Sequence, residues 1–362
     1  MGFRDYYRQF DDIDEAKLNL ERRERRRREK AAALERVPDI DLSGTEWPDL
    51  PHSEVVNAAI ARARGLVNRY PDRYAATVRR QLADRHGVAP EQIVVGNGAA
   101  ELLQAAALVL LGRGDELVMP WPSYPLYPLL AAHAGARPVF AEHGRLSDAV
   151  TGRTRVLVVC NPNDPTGDYM RSHELGAVLA GLPAHVHVLL DEALVHFQDE
   201  EDLDACLRLV DAFPRLLVVR TFSKIYGLSG LRAGYAVGSD TDLLAAVAPV
   251  LGVNALTQAA VEHTLRTSDA EIERRRRVVS RERVRVTESL VALGAEVTRS
   301  QANFVWVRAP GLSGDALAQA LRRQGVIVAP GGPLGAEDHV RAAVLNEGAT
   351  NRLLRAYGNA VA

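Results

Sequence analysis

From Val37 onward, short β-rich apolar runs alternate with stretches whose apolar positions recur at helical spacing. Seven such runs stand out: Ile93 to Val95, Glu116 to Met119, Arg137 to Phe140, Val156 to Cys160, Val186 to Leu190, Leu216 to Arg220 and Ala233 to Gly238. Helical patterns separate most of the runs. The alternation predicts an α/β domain of three layers, a mostly parallel seven-stranded sheet between helices. Pro38, Pro48 and Pro51 mark an extended entry to it, and Ser53 is a suitable N-cap for a helix whose apolar face is Val55, Val56, Ala59 and Ile60. Beyond about Thr257 the pattern changes to a long charged helix, Ala270 to Leu293, then a strand at Phe304 to Val307, a helix near Leu317 to Gln324 and a short run at Val326 to Val328. The expected division is a charged arm over 1–36, a large domain over 37–256 whose first part, 37–52, joins the small domain, and a smaller α+β domain over 257–362.

The first residues differ in kind. Asp14 to Arg36 is rich in Glu, Arg and Ala, which predicts an exposed helix with opposite charges near i+4. Its aromatics, Phe3, Tyr6, Tyr7 and Phe10, all precede the basic run without interleaving, so a solvated helix is favoured over a nucleic-acid arm. The chain of 362 residues is 47% hydrophobic, enough for a large core, and its net charge of -2 gives no global field for nucleic acid. Its two cysteines, Cys160 and Cys206, argue against a disulfide scaffold and fit a reducing cytoplasm. No stretch has the length and apolarity of a membrane span, and the charged N-terminus lacks the apolar core of a signal peptide. Cytoplasmic residence without membrane or nucleic-acid partners is therefore expected. His185 and His187 lie two apart on a strand with no acidic or thiol ligand set around them, so no metal is assigned.

The chemistry centres on Lys224, inside Thr221-Phe-Ser-Lys-Ile-Tyr-Gly-Leu-Ser-Gly-Leu-Arg-Ala-Gly-Tyr235. A lysine that forms a Schiff base must be partly desolvated so that its neutral amine is accessible, and the nearby Thr221, Ser223 and Arg232 suit a phosphate on the same ligand. Upstream, Val94-Val95-Gly96-Asn97-Gly98-Ala99-Ala100-Glu101 carries a strand through glycines into a helix, presenting N–H groups at its positive end. Two further motifs, Asn161-Pro-Asn-Asp-Pro-Thr-Gly167 and Leu189-Leu-Asp-Glu-Ala-Leu194, follow apolar runs. Their polar residues fall at strand carboxyl ends, where open α/β sheets bind ligands.

In this order the motifs resemble those of the fold-type-I pyridoxal-phosphate aminotransferases, classes I and II, and most of all the branch containing histidinol-phosphate aminotransferase. The resemblance extends from about Asp41 to Arg341. It implies pyridoxal 5'-phosphate as cofactor, with Lys224 as its covalent anchor and proton carrier, Asp191 beside the pyridine nitrogen and Tyr124 over the ring face. The phosphate would be held by Gly98, Ala99, Ala100, Thr221, Ser223 and Arg232, and by Tyr70 reaching across from the neighbouring subunit of a homodimer. Arg341, in His339-Val-Arg-Ala-Ala343, matches the arginine that clamps a substrate carboxylate, and Asn303 is expected to assist it.

The departures from that pattern also carry information. Asp164 stands where the family has asparagine, and Leu194 where it has tyrosine; both family residues donate to the cofactor's phenolic oxygen, whereas an ionised aspartate only accepts and leucine does neither. The Schiff-base proton is therefore expected to be held to higher pH than is usual in the family. Ala329 replaces an arginine that binds substrate phosphate, and Thr45-Glu-Trp-Pro48 replaces Asn-Glu-Asn-Pro, with Trp47 expected near the entrance. These changes favour an aromatic or aliphatic amino acid over histidinol phosphate as donor, with a 2-oxo acid as acceptor. Two other readings stay open at this level: a decarboxylase or lyase on the same scaffold, and a non-catalytic cofactor-binding regulator.

Overall fold

The computed structural model describes residue 20, residues 22–25 and residues 38–361. Leu20 and residues 22–25 are helical and exposed, inside the stretch expected as a charged helix. The rest of that stretch, with Phe3, Tyr6, Tyr7 and Phe10, lies outside the described residues.

Each of the seven expected apolar runs is a strand: β1 (Ile93–Gly96), β2 (Glu116–Pro120), β3 (Arg137–Ala141), β4 (Thr154–Cys160), β5 (His187–Asp191), β6 (Leu216–Thr221) and β7 (Gly234–Val237). They form one sheet in the order β1-β7-β6-β5-β4-β2-β3. All neighbours are parallel except β7, which runs antiparallel to both β1 and β6. Helices precede, connect and follow the strands: α1 (Ser53–Arg64), α2 (Ala76–His86), α3 (Ala99–Leu110), α4 (Leu126–His133), α5 (Ser172–Gly181), α6 (Thr241–Val247) and α7 (Ala255–Thr267). On one face of the sheet Val156, Val158, Leu189, Leu217 and Val219 pack with Leu102, Leu103 and Ala106 of α3. The alternate residues Leu157, Val159, Leu190 and Val218 are fully buried too, so the central strands are covered on both faces, as their unbroken apolar runs require. The edge strand β3 leaves Arg137 and Phe140 exposed.

After α7 come α8 (Asp269–Ala292), α9 (Gly314–Arg322) and α10 (Glu347–Val361), with a second sheet of β8 (Glu296–Val297), β9 (Phe304–Arg308), β10 (Ala329–Pro330) and β11 (His339–Ala343). Its order is β10-β11-β9-β8 and every pair is antiparallel. The boundary expected at 256/257 falls inside α7, and residues 41–362 form one compact unit. The entry segment lies against the second sheet: Leu42 N–H donates to the Ile327 carbonyl and Ala343 N–H to the Leu42 carbonyl.

The sheet fixes where chemistry can occur. Parallel pairing sets Cys160 opposite Asp191 and Asp191 opposite Val219, so the carboxyl ends of β4, β5 and β6 lie side by side. The residues that leave those ends are Asn161, Glu192 and Phe222, each the first of a candidate motif's loop.

Candidate active site

At one end of the cleft, backbone geometry builds an anion cradle. The turn between β1 and α3 passes through Gly98 at φ 93°, and a Cβ there would lie 2.5 Å from Arg232 Nη2. A Cβ on Gly234 would lie 2.5 Å from the Ala99 nitrogen. Two glycines thus let the Arg232 guanidinium and β7 approach the N-terminus of α3, where unpaired N–H groups favour an anion. Arg232 Nη1 donates to Ser223 Oγ at 3.3 Å and to the Ser229 carbonyl at 3.0 Å, while Ser223 N–H donates to Thr221 Oγ1 at 3.0 Å. Ala99, Ala100, Thr221, Ser223, Ser229 and Arg232 all face the same cleft.

Elsewhere in the same cleft is Asp191, the last residue of β5 and almost fully buried. Its Oδ2 accepts from the Tyr127 hydroxyl at 2.9 Å and its Oδ1 from the Ala193 N–H at 3.0 Å. Burial raises its carboxyl above the usual range, against the pull of those two donors and of the Lys224 charge. Tyr124 lines the cleft with its ring edge-on to Tyr127, centroids 5.8 Å apart. Burial, together with Asp191 and Asp164, pushes its phenol up.

Lys224 projects into the same space, and its Nζ donates to Thr45 Oγ1 at 2.5 Å. Burial lowers its ammonium below the ordinary lysine range, with Asp164 and Glu46 opposing and Arg341 assisting. A lysine whose neutral form is favoured by desolvation is a ready nucleophile toward a carbonyl carbon and a proton carrier once released.

Asp164 lines the cleft and forms an ion pair with Arg341: Nη1 donates to Oδ1 at 2.5 Å, with side-chain exposures of 11% for the arginine and 10% for the aspartate. Arg341 Nη2 donates to the Ser43 carbonyl at 2.7 Å, and its guanidinium lies over Phe304. Asn303 Nδ2 holds the Thr45 carbonyl at 2.9 Å, leaving its own buried Oδ1 without a partner. Leu194, read as replacing a family tyrosine, lines the cleft. Two expected residues stand apart. Trp47 is buried at 8% exposure with its indole 4.7 Å from the Arg275 guanidinium, and Glu46 rather than Trp47 lines the cleft. Tyr70 is 84% exposed and lies on the rim of a separate depression with Val67 and Leu251.

Sequence reading missed several residues. Tyr127 carries no local signal of a role, and only the tertiary fold brings its hydroxyl to Asp191. Thr45, Glu46 and Ser229 were quoted within motifs but given no role. Behind the strand ends, the fully buried Arg220 donates through Nε to Glu192 at 2.7 Å and through Nη1 to Asp204 at 2.6 Å. Asp204 also meets His86 Nδ1 at 2.9 Å, and His86 Nε2 meets the Tyr235 hydroxyl at 2.9 Å. This network ties Glu192, next to Asp191, to Arg220, next to Thr221. No local pattern signals it, because its members come from the turn after β5, from β6, β7 and α2, and from a loop. Among the described residues no group of three or more His, Cys, Asp or Glu could hold a metal ion, and no helix is long and apolar enough to cross a membrane.

Comparison with known proteins places this geometry. The family description "Aminotransferase class I and II" matches residues 37–356. An aromatic amino acid aminotransferase of Mycobacteroides abscessus is 39% identical over 318 residues, covering 85% of this chain and 90% of that protein. A histidinol-phosphate aminotransferase of Nitrosococcus oceani is 36% identical over 325 residues, 87% of each. In structure, the histidinol-phosphate aminotransferase of Sinorhizobium meliloti in complex with pyridoxal-5'-phosphate superposes with a TM-score of 0.79 at 24% identity, covering 90% of this chain and 91% of that one. These likenesses favour amino transfer over decarboxylation, elimination or a regulatory role. With a lysine amine, a buried aspartate and an anion cradle in one cleft, the chain belongs to the class I and II aminotransferases.

Proposed function

We propose that this aminotransferase holds pyridoxal 5'-phosphate on Lys224 and takes an aromatic L-amino acid as amino donor and a 2-oxo acid as acceptor, as a cytoplasmic homodimer. The observation that carries the reading is the sharing of one cleft by Lys224, Asp191 and the cradle of Thr221, Ser223 and Arg232 at the start of α3. The donor set fits the cofactor: hydroxyls, a guanidinium and helix N–H groups for a phosphate dianion, a carboxylate for a protonated ring nitrogen, and an aromatic face at Tyr124. Once bound there, the cofactor supplies an electron sink for the bond broken at the substrate carbon. Asp191, oriented by Tyr127 and Ala193, would hold a proton on the ring nitrogen. Lys224 would anchor the cofactor through its amine and, as a free amine, would hold and move the proton at the substrate carbon.

Aromatic preference is supported by the relatives' named activity and by the residue opposite the clamp. Ala329 pairs with Arg341 across β10 and β11, so no second cation stands there for a substrate phosphate. The dimer is supported by Tyr70, which is exposed outside the cleft of its own chain. Cytoplasmic residence is supported by two cysteines that are both unpaired.

The test is a single turnover. Cofactor-loaded enzyme mixed with phenylalanine, tyrosine, leucine or histidinol phosphate is expected to yield pyridoxamine phosphate fastest with the aromatic acids and slowly with the phosphate ester. Faster conversion by histidinol phosphate would overturn the substrate assignment. Failure of every donor to convert the cofactor would overturn the reading of the site.

A further inference from the structure

The anion clamp of this enzyme already holds an anion of its own. Arg341 is the cation read as the clamp for a substrate carboxylate, yet its Nη1 is taken by Asp164 at 2.5 Å and its Nη2 by the Ser43 carbonyl at 2.7 Å. Its buried Nε has no partner. The ion pair is largely sequestered from water, and Asp164 faces the same cleft as Lys224. An asparagine here would present a neutral amide to the arginine; an aspartate presents a full opposite charge.

We propose that Asp164 is a specificity-determining residue, an internal counter-ion that competes with the substrate carboxylate for Arg341 and so levels the site's preference between charged and uncharged ligands. The inference rests on the reading of Arg341 as the carboxylate clamp. A ligand carboxylate entering a site with a free guanidinium gains a charge-assisted hydrogen bond and an ion pair at once. In this site it must first displace Asp164, which leaves a second carboxylate without its partner in a poorly solvated space, so most of the gain is cancelled. A neutral ligand of the same shape leaves the Asp164–Arg341 pair intact. The consequence is an enzyme that binds amino compounds bearing an amide, ester or alcohol in place of the carboxylate nearly as well as amino acids.

Non-reacting probes separate binding from turnover. 3-Phenylpropionate and 4-methylpentanoate, each with its own amide, cover the aromatic and aliphatic classes, and calorimetry on cofactor-loaded protein gives their affinities. Wild type is expected to bind each acid within about threefold of its amide, and D164N to prefer the acid by about tenfold or more. Asp164→Ser is a second variant with the same expectation should D164N fold poorly. In the double variant D164N/R341Q the preference should disappear.

The outcomes separate the two layers of the argument. A D164N enzyme that discriminates no better than wild type, while R341Q weakens the acids, would leave Arg341 as the clamp and overturn the role of Asp164. Acids that bind equally with and without Arg341 would remove the clamp reading itself, and this inference with it. A wild-type preference for the acids of tenfold or more would also overturn the proposal, as would failure of D164N to bind either acid.

Discussion

Asp191 shows most directly how burial and function pull in opposite directions at a single residue. Its carboxyl is raised above the ordinary range chiefly by burial. A group whose folded pKa is raised binds more protons when folded, so its contribution to stability is fully present below the unfolded pKa and is lost as pH rises through the folded one. In cofactor-free protein near neutral pH, Asp191 is therefore a liability. Asp191→Asn is expected to raise the Tm of that protein at pH 7, with the difference fading below about pH 4, near the unfolded value for aspartate. The same substitution should lower kcat by about 10²–10³, because it removes the charge that the proposed function sets against the ring nitrogen. Thermal unfolding across pH and steady-state kinetics check the two halves. Lys224 follows the same logic with the opposite charge, since burial lowers its ammonium and so favours the neutral amine needed for reaction. Of the residues around it, Lys224, Asp191 and Arg232 were legible because each sits in a contiguous motif. Tyr127 was not, since nothing in its own neighbourhood points toward a residue 64 positions away.

At the scale of elements, strand ends deliver the side chains, and what fixes those ends lies behind the sheet. Arg220 on β6 is fully buried and bridges Glu192, just past β5, to Asp204. Removing one partner of such a network leaves uncompensated charge in the interior. Arg220→Met is expected to cost about 3–5 kcal/mol of stability, measured by urea unfolding of the cofactor-free protein. The β1–α3 turn depends in a different way on what is absent: without side chains at Gly98 and Gly234, Arg232 and β7 can close on the helix N-terminus. The elements themselves were predictable. All seven expected runs are strands, with ends displaced by no more than two residues, and the central ones, buried on both faces, leave a continuous apolar signature. The antiparallel setting of β7 carried no such mark, since an apolar run reads the same in either direction.

For the whole molecule, the proposed dimer makes the site a shared object. If Tyr70 serves the neighbouring subunit, then Lys224→Ala and Tyr70→Ala chains should complement one another. Equal amounts unfolded and refolded together would pair at random, half the dimers would be mixed, and each mixed dimer would hold one native site out of two, giving about a quarter of wild-type activity. Activity no higher than the mean of the two parent variants would count against the shared site. The sequence by itself determined the fold class, the strands and the identity of the central residues. Each of these depends on local composition: apolar runs long enough to cross a sheet, and motifs in which lysine, aspartate or glycine stands beside its own context. Tertiary structure alone decided which distant groups meet. The Lys224 amine meets a threonine 179 positions away, and Arg341 meets an aspartate 177 positions away. Charge pairing acts through space between side chains whose separation along the chain is arbitrary. Sequence could therefore mark Asp164 as unusual, and only the folded chain could show that it is the partner of Arg341.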